Sequence, residues 1–360
     1  MIGYYVHHHG RGHLHRALCV ARHARTPVTG LSSLPRPDGW PGPWVRLPLD
    51  TGGAPGDVTA GDRLHWAPVH HDGYRRRMGL VADWIVRRRP ALLVSDVSVE
   101  IASLARLMGT PVVVAAMRGE RTDPAHRLAY DMAAGLLAPW PAELPEPGWP
   151  AAWLRKTVHV GAFSRNDHRA RAREAAVPGR RRVLVLGGAG GSDLGPRQVE
   201  EARRATPGWD WQVVGGTGQW CADPWPLLCA ADVVVTHAGQ NALAECAAAR
   251  RPAVVVPQDR PFGEQHATGR ALRDGGLAVV REAWPAADEW PDVLEESLRT
   301  GGAGWSRWSY GDGARRAAAY LDALAADGAA PGAGETDAEA GGVAAAVGDT
   351  GVTAAGRGAA

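Results

Sequence analysis

The chain has 360 residues, enough for about two domains of ordinary size, and 45% of them are hydrophobic, so both domains can have a packed core. Its formal net charge of +2 argues against a general nucleic-acid-binding protein, and we expect no nucleic acid among its partners. The four cysteines form no C-x-x-C pair, and no apolar segment is long enough to cross a bilayer, which favours a cytoplasmic protein with at most peripheral membrane association.

The first part of the chain alternates short β-rich segments with helical ones. Ile2–Val6 (IGYYV) is a predicted strand, and the segment HLHRALCVARHA after it has its apolar residues at helical spacing. Ala91–Asp96 (ALLVSD) and Thr110–Met117 (TPVVVAAM) are further predicted strands, and a helical segment precedes each of them. This repetition implies a parallel sheet covered by helices, so we predict a Rossmann-like domain over residues 1–140.

A segment dense in proline and tryptophan, Ala138–Lys156, breaks this pattern and predicts a linker over residues 141–157. The alternation then restarts and predicts a second Rossmann-like domain over residues 158–325. Residues 326–360 are mostly Gly and Ala with scattered acids, a composition typical of disorder. The predicted fold class is therefore α/β, with two Rossmann-like domains that face each other across a cleft.

The first loop of chemical interest is HHHGRGHLHRA, from His7 to Ala17. Its histidines alternate on both sides of Gly10, Arg11 and Gly12, and such histidines can in principle bind zinc. No cysteine or acidic residue lies at ligand spacing, however, so we expect no metal site and no metal cofactor. A loop whose glycines let the backbone approach a phosphate explains the segment better.

A second glycine-rich loop, GGAGGS, follows the predicted strand VLVL. Its glycines would present backbone N–H groups at a helix start, although the spacing does not match the full G-x-G-x-x-G motif. A tight turn without a ligand is an equally good interpretation when the motif is taken alone. Its candidate donor-binding residues are Gly188, Gly190, Gly191 and Ser192.

The third loop carries a stronger signal. His237 and Gly239 follow a buried predicted strand, and a helix is predicted to begin at about Gln240, where its free amides and positive dipole end suit a phosphate. Glu245, further along that helix, can accept hydrogen bonds from a sugar hydroxyl. The pair Glu264–Gln265 opens the next predicted helix at the same sheet edge. Polar groups therefore converge on one crevice.

The run HAGQNALAE from His237 to Glu245, followed by Pro257 and by EQHA from Glu264 to Ala267, resembles the donor-binding signature of nucleotide-sugar glycosyltransferases of the GT-B type. That group includes the peptidoglycan N-acetylglucosaminyltransferase and the UDP-glucuronosyltransferases. This sequence departs from the signature at two positions. Ala238 lies within the His-Gly-Gly segment, a small change that should be tolerated. Glu264 stands where many relatives have Asp, and this second departure leaves the identity of the sugar open. The resemblance implies a diphosphate site at His237, Gly239, Gln240 and Asn241, a ribose contact at Glu245, and sugar contacts at Glu264 and Gln265.

The segment Gly10-Arg11-Gly12-His13 is similar to the amino-terminal glycine loop of the same family, where acceptor and donor phosphates come close. His13 is the predicted catalytic base, because a neutral imidazole suits proton abstraction near neutral pH. Asp96, which ends a predicted strand at the same sheet edge, is the alternative base. We favour a different role for Asp96, the N-cap of the helix that starts near Val97.

The resemblance implies an enzyme that moves a sugar from an NDP-sugar, with UDP as the expected nucleotide, to a hydroxyl acceptor, with inversion at the anomeric carbon. No metal is expected, since no Asp-x-Asp pair follows a strand and helix-start amides can offset the charge of the leaving diphosphate. The nucleotide-sugar is a co-substrate, and no further cofactor is implied.

Two other functions stay open. The G-x-G-H-x-x-R segment, Gly10 to Arg16, also resembles the start of nucleotide-sugar hydrolases of sialic-acid-like pathways, in which water replaces the acceptor. A non-catalytic nucleotide-sugar-binding protein is the third possibility. The acceptor itself stays open between a lipid-linked molecule, a polymer and a small secondary metabolite, because the loops over residues 31–74 have no recognisable pattern.

Overall fold

The computed structural model describes residues 1–9, 11–53, 55–171, 180–188, 194–216 and 218–327. The described residues form two parallel sheets covered by helices, one in each half of the chain. The predicted α/β fold with two Rossmann-like domains is therefore confirmed. The strands of both sheets are rich in Val and Leu, because helices on both faces of a parallel sheet keep water from either side.

The first sheet has seven strands in the spatial order β3-β2-β1-β4-β5-β6-β7. The strands are β1 (Ile2–Val6), β2 (Val28–Ser32), β3 (Trp44–Arg46), β4 (Leu92–Asp96), β5 (Val112–Ala115), β6 (Gly135–Ala138) and β7 (Thr157–His159). The helices of this half are α1 (Gly12–Ala21), α2 (Asp72–Arg88), α3 (Val99–Leu107), α4 (Pro124–Met132) and α5 (Ala151–Arg155).

The second sheet has five strands in the order β12-β11-β10-β8-β9. The strands are β8 (Arg181–Leu186), β9 (Trp209–Val214), β10 (Val233–Thr236), β11 (Ala253–Val255) and β12 (Val279–Val280). The helices that follow in the chain are α6 (Pro196–Ala205), α7 (Trp225–Ala230), α8 (Gln240–Ala249), α9 (Glu264–Asp274), α10 (Trp290–Thr300), α11 (Trp305–Trp308) and α12 (Gly313–Asp327).

Strand register decides which loops meet. Val6, the last residue of β1, lies beside Asp96, the last residue of β4, so the loop and helix after β1 start next to that carboxylate. In the second sheet Thr236 of β10 pairs with Leu186 of β8 and with Val255 of β11. The glycine loop, the His237 loop and the loop before α9 therefore leave the sheet side by side.

The predicted domain boundaries differ from the observed ones at two places. β7 lies within and just after the predicted linker, yet it pairs with β6 and completes the first sheet. α12 follows the second sheet in sequence, but its apolar face packs into the first domain, where Ala317 and Leu321 share a core with β1 and α1. Asp322 of α12 also accepts hydrogen bonds from the backbone N–H groups of Arg25 and Thr26, at 3.0 and 2.9 Å. The first domain is thus built from both ends of the described part of the chain.

Part of the predicted tail can be compared with the structure. Ala326 and Asp327, its first two residues, end α12, and residues 328–360 lie outside the described residues. None of the described helices has the length and apolar character needed to span a membrane.

Candidate active site

A cavity of about 810 Å³ opens where the carboxyl ends of the two sheets face each other. Its walls come from the loops after β1, β4, β5, β8, β10 and β11, so both domains contribute. The predicted site residues among its lining are Arg11, Gly12, His13, Gly188, His237, Gly239, Gln240, Asn241, Glu245, Glu264 and Gln265. Gly10, Gly190, Gly191 and Ser192 lie outside the described residues.

The first turn of α8 forms one wall of this cavity. Gly239 is the N-cap residue, in an extended conformation, and no side chain caps the helix. The first N–H groups of the helix are therefore not satisfied by a capping side chain, and together with the helix dipole they favour an anion at this position.

His237 adds a directed donor beside that helix start. Its Nδ1 accepts the backbone N–H of Gly239 at 2.9 Å, so in the neutral ring the proton is on Nε2. Nε2 is buried and has no hydrogen-bond partner among the described residues, which exclude 189–193. Burial lowers the pKa of His237 to about 4, with a further contribution from Arg260, so the ring is a neutral N–H donor at pH 7.

Gly188 leaves the space into which this donor points. A Cβ atom at Gly188 would lie 2.6 Å from Nε2 of His237, closer than real Cβ atoms approach a nitrogen. The glycine is therefore required by a close approach, rather than by an unusual backbone angle. A ligand oxygen can reach the imidazole only because no side chain is present here.

The acidic residues and the glutamine of the predicted donor site all have partners in the protein. Glu245 accepts a hydrogen bond from Nε of Arg165 at 2.9 Å, and burial raises its pKa. Glu264 lies 3.7 Å from Nη2 of Arg121, and burial raises its pKa as well. Oε1 of Gln265 accepts the backbone N–H groups of Ala238 and Gln258, at 3.1 and 3.0 Å. Gln265 thus connects two loops through its carbonyl oxygen, and its amide NH₂ is a hydrogen-bond donor.

On the opposite wall, His13 and Arg16 lie one turn apart on α1 and both reach Asp96. Nδ1 of His13 is 3.0 Å from Oδ1 of Asp96, and Nε of Arg16 donates to Oδ2 at 3.0 Å, with Nη2 of Arg16 also bonded to Oδ1. Burial by itself raises the pKa of Asp96, but the charges of Arg16 and His13 outweigh it and hold that pKa well below its usual range.

The favoured role of Asp96 as an N-cap is wrong. Ser98 caps α3, and its hydroxyl accepts the N–H of Ile101 at 3.2 Å. Between the two residues the chain turns at Val97, whose φ of 69° lies in the left-handed region that a β-branched residue adopts only under strain. This turn leaves the buried Asp96 facing α1, where it contacts His13 and Arg16.

The remaining histidines of the first loop lie close together. The rings of His7, His8 and His9 have centroids 4.5 to 5.0 Å apart, and His7 and His9 line the cavity. Burial lowers the pKa of His7 to about 3 and that of His15 to about 4. Both rings are therefore neutral at physiological pH and add no charge to the site.

One group of metal-ligand type is found among the described residues, and its two histidines line the cavity. His65, Asp123 and His126 bring one ligand atom each within 4.8 Å of one another. Nδ1 of His126 is bonded to Asp123 at 2.5 Å, and its Nε2 faces Nη1 of Arg121 at 3.2 Å. A metal-binding histidine donates its other N–H to an acceptor, whereas this ring meets a guanidinium donor. The geometry therefore suits a neutral His126 held between an acid and a cation.

Several residues of the site were not predicted from the sequence. Arg16 and Arg165 could not be singled out, because the sequence is rich in arginine and most arginines carry no pattern that distinguishes them. Trp220 lines the cavity with 63% of its surface exposed, while Trp225, the first residue of α7, is buried and donates its indole N–H to the carbonyl oxygen of Ala170 at 3.1 Å. An exposed tryptophan on a cavity wall offers a stacking surface.

Residues 225–299 match the model of the glycosyltransferase family 28 C-terminal domain. The matched segment runs from the start of α7 into the last turn of α10 and contains both donor-site motifs. No curated protein matches the chain.

Solved structures match nearly the whole chain. The glycotransferase of kitacinnamycin has a TM-score of 0.61 and 18% identity, over 91% of this chain and 97% of that one. MurG of Acinetobacter baumannii has a TM-score of 0.57 and 16% identity, over 91% and 99%. Phytolacca americana UGT2, complexed with UDP-2-fluoro-glucose and pterostilbene, has a TM-score of 0.58 and 15% identity, over 89% and 93%. Identities this low show a shared fold alone.

Proposed function

We propose that this chain, a glycosyltransferase with a family 28 C-terminal domain in a GT-B fold, moves a sugar from a UDP-sugar to a hydroxyl acceptor in the cytoplasm. The observation that carries the proposal is the pairing of His13 with Asp96 across one cavity from the uncapped start of α8. A base and an anion site on facing walls are what a transfer from a nucleoside diphosphate sugar needs. The UDP-2-fluoro-glucose bound to UGT2 supports the choice of nucleotide.

In the proposed reaction the acceptor oxygen attacks the anomeric carbon of the donor. His13, held through Nδ1 at Asp96, takes the acceptor proton on Nε2, and the Asp96 carboxylate stabilises the imidazolium that forms. The new C–O bond forms as the bond from the anomeric carbon to the phosphate oxygen breaks, and UDP leaves with that electron pair. A single displacement of this kind inverts the anomeric carbon.

In this proposal, neutral hydrogen-bond donors stabilise the negative charge that develops on the leaving diphosphate. They are the first N–H groups of α8 and Nε2–H of His237, and they act without a metal ion. Glu245 would accept from the ribose, the Glu264 carboxylate and Gln265 amide would hold hydroxyls of the sugar, and Trp220 would stack on the base. The described cysteines are free thiols, which supports a reducing compartment.

The acceptor would lie against the first domain. The lining there combines the apolar and aromatic side chains of Val99, Ala129 and Tyr130 with the polar edges of His65 and His126, and Phe262 of the second domain packs against these two histidines. Such a surface favours a hydroxyl-bearing organic molecule with an apolar body over a highly charged acceptor.

The proposal is tested by calorimetric UDP binding and by UDP release from UDP-sugars with a panel of hydroxyl acceptors. We expect His237→Ala to weaken UDP binding about tenfold, the effect of losing a hydrogen bond to a charged group. His13→Ala should keep UDP binding but lower turnover at least about a hundredfold, since general base catalysis contributes that much. His266→Ala is the matched control, because His266 lies at the start of α9 outside the cavity.

The outcomes separate the competing functions. Free sugar released at the full rate without an acceptor would identify a hydrolase instead. UDP-sugar binding without turnover across the panel would identify a binding protein. A wild-type protein that binds no UDP-sugar or other NDP-sugar would contradict all three.

A further inference from the structure

Arg16 connects the two domains through one buried guanidinium group. The residue is 7% exposed, and its three side-chain nitrogens make contacts with both domains. Nε and Nη2 hold the Asp96 carboxylate in a two-point contact, while Nη1 donates to Oε1 of Gln240 on the other domain. A planar guanidinium fixes these directions relative to one another, so Asp96 and Gln240 cannot move independently while both contacts exist.

Gln240 is in turn oriented by the first domain. Its amide Nε2 lies 3.4 Å from the sulfur of Met117, and its Oε1 accepts from Arg16, so both ends of the amide contact the opposite wall of the cleft. Next to it, a Cβ atom at Gly12 would come within 2.7 Å of Nδ2 of Asn241. The starts of α1 and α8 are therefore in direct contact at this point.

We propose that Arg16 is a positioning residue that ties the His13–Asp96 pair to the start of the donor helix α8. In this arrangement the base and its carboxylate are correctly assembled only when the domains are in contact at Gln240. Nη2 of Arg16 also lies 3.0 Å from Nδ1 of His13, so the same guanidinium limits the positions that the imidazole ring can take. The base is therefore aligned by the same Arg16 contacts that join the two domains.

The first experiment measures this coupling by hydrogen–deuterium exchange on the full chain without ligand. Gln240→Met removes the acceptor with little change in size, and Arg16→Gln removes the guanidinium. We expect Gln240→Met to speed amide exchange at the start of α1, in the other domain, and Arg16→Gln to speed it at the start of α8, each about three- to tenfold, because coupling between two sites is reciprocal. The double variant should add little to either single change.

Two further variants distinguish positioning from charge balance. Arg16→Lys keeps a cation beside Asp96 but lacks the planar guanidinium, so it should still fold and yet lose the coupling between the helices. Arg22→Gln is the matched control, since Arg22 is an exposed arginine that follows α1 and contacts Gly39 rather than the cleft. It should leave exchange at α8 unchanged.

Turnover supplies the second readout, and this part rests on the proposed function. Arg16→Gln should lower kcat about a hundredfold. Gln240→Met should lower kcat about tenfold and also raise KM for the donor, because it removes the contact that aligns the base. The inference is overturned if each substitution changes exchange only in its own helix, if the double variant shows the sum of the single effects, or if Arg16→Lys matches the wild type in exchange. If the protein bound no UDP, the proposed function would be contradicted. The exchange data, measured without ligand, would still test whether Arg16 couples the two helices.

Discussion

Asp96 is charged although it is fully buried, and that charge depends on its neighbours. The two-point contact with Arg16 and the bond to His13 offset the loss of hydration and hold the pKa of Asp96 below its usual range. A carboxyl group whose pKa is lower in the folded state stabilises the fold above its unfolded pKa. It loses that contribution as the pH falls through the folded pKa.

Asp96→Asn should therefore lower the free energy of unfolding by about 3 kcal/mol at pH 7, because Arg16 stays buried without its counter-charge. The difference from the wild type should shrink as the pH falls below about 4, where the unfolded carboxyl is protonated anyway. Urea unfolding at pH 7, 5 and 3.5 measures it. Asp83→Asn, on an exposed ion pair with Arg87, is the control and should change stability by less than about 0.5 kcal/mol. A difference that stays constant with pH would contradict this account of Asp96.

At the scale of single elements, sequence patterns located most strands and helices but not the partners of their end residues. The predicted start of α8 at Gln240 agrees with the structure, because a glycine N-cap after a run of valines is a local signal. Asp96 and Ser98 are both good N-cap residues two positions apart, and the strained turn at Val97 decides between them. That turn depends on burial against α1, which local sequence does not contain.

The loop after β8 offers a test at this scale. Gly188→Ala places a methyl group against Nε2 of His237, so the loop or the imidazole must move out of the position in which the donor faces the cavity. We expect the variant to fold and to bind UDP at least about tenfold more weakly, the value of one lost hydrogen bond to a charged group. Gly208→Ala is the matched control, since a Cβ there meets nothing within 4 Å. Unchanged UDP affinity in Gly188→Ala would mean that His237 does not face the diphosphate.

For the whole molecule, the return of α12 to the first domain could not be read from the sequence. Its pattern of alanines and leucines indicates an amphipathic helix, but the pattern is equally compatible with packing on either domain. The same holds for β7, a three-residue strand after a Pro- and Trp-rich segment, whose partner β6 is fixed only by the completed sheet. Long-range packing determines which domain an element joins. The spacing of apolar residues in the sequence indicates only which face of the element is apolar.

This topology predicts that α12, the last described helix, stabilises β1 and α1 at the start of the chain. Leu321 is buried in the same core as β1 and α1, so Leu321→Ala should lower the free energy of unfolding by about 2–4 kcal/mol, the cost of a cavity in a packed core. Hydrogen exchange should show the loss of protection in β1 and α1, more than 290 positions away in sequence, and not in β8 or β10. Leu107→Ala is the control, because Leu107 is 85% exposed and should change stability by less than about 0.5 kcal/mol. If protection were instead lost in the second sheet, α12 would belong to the second domain, as the sequence alone predicted.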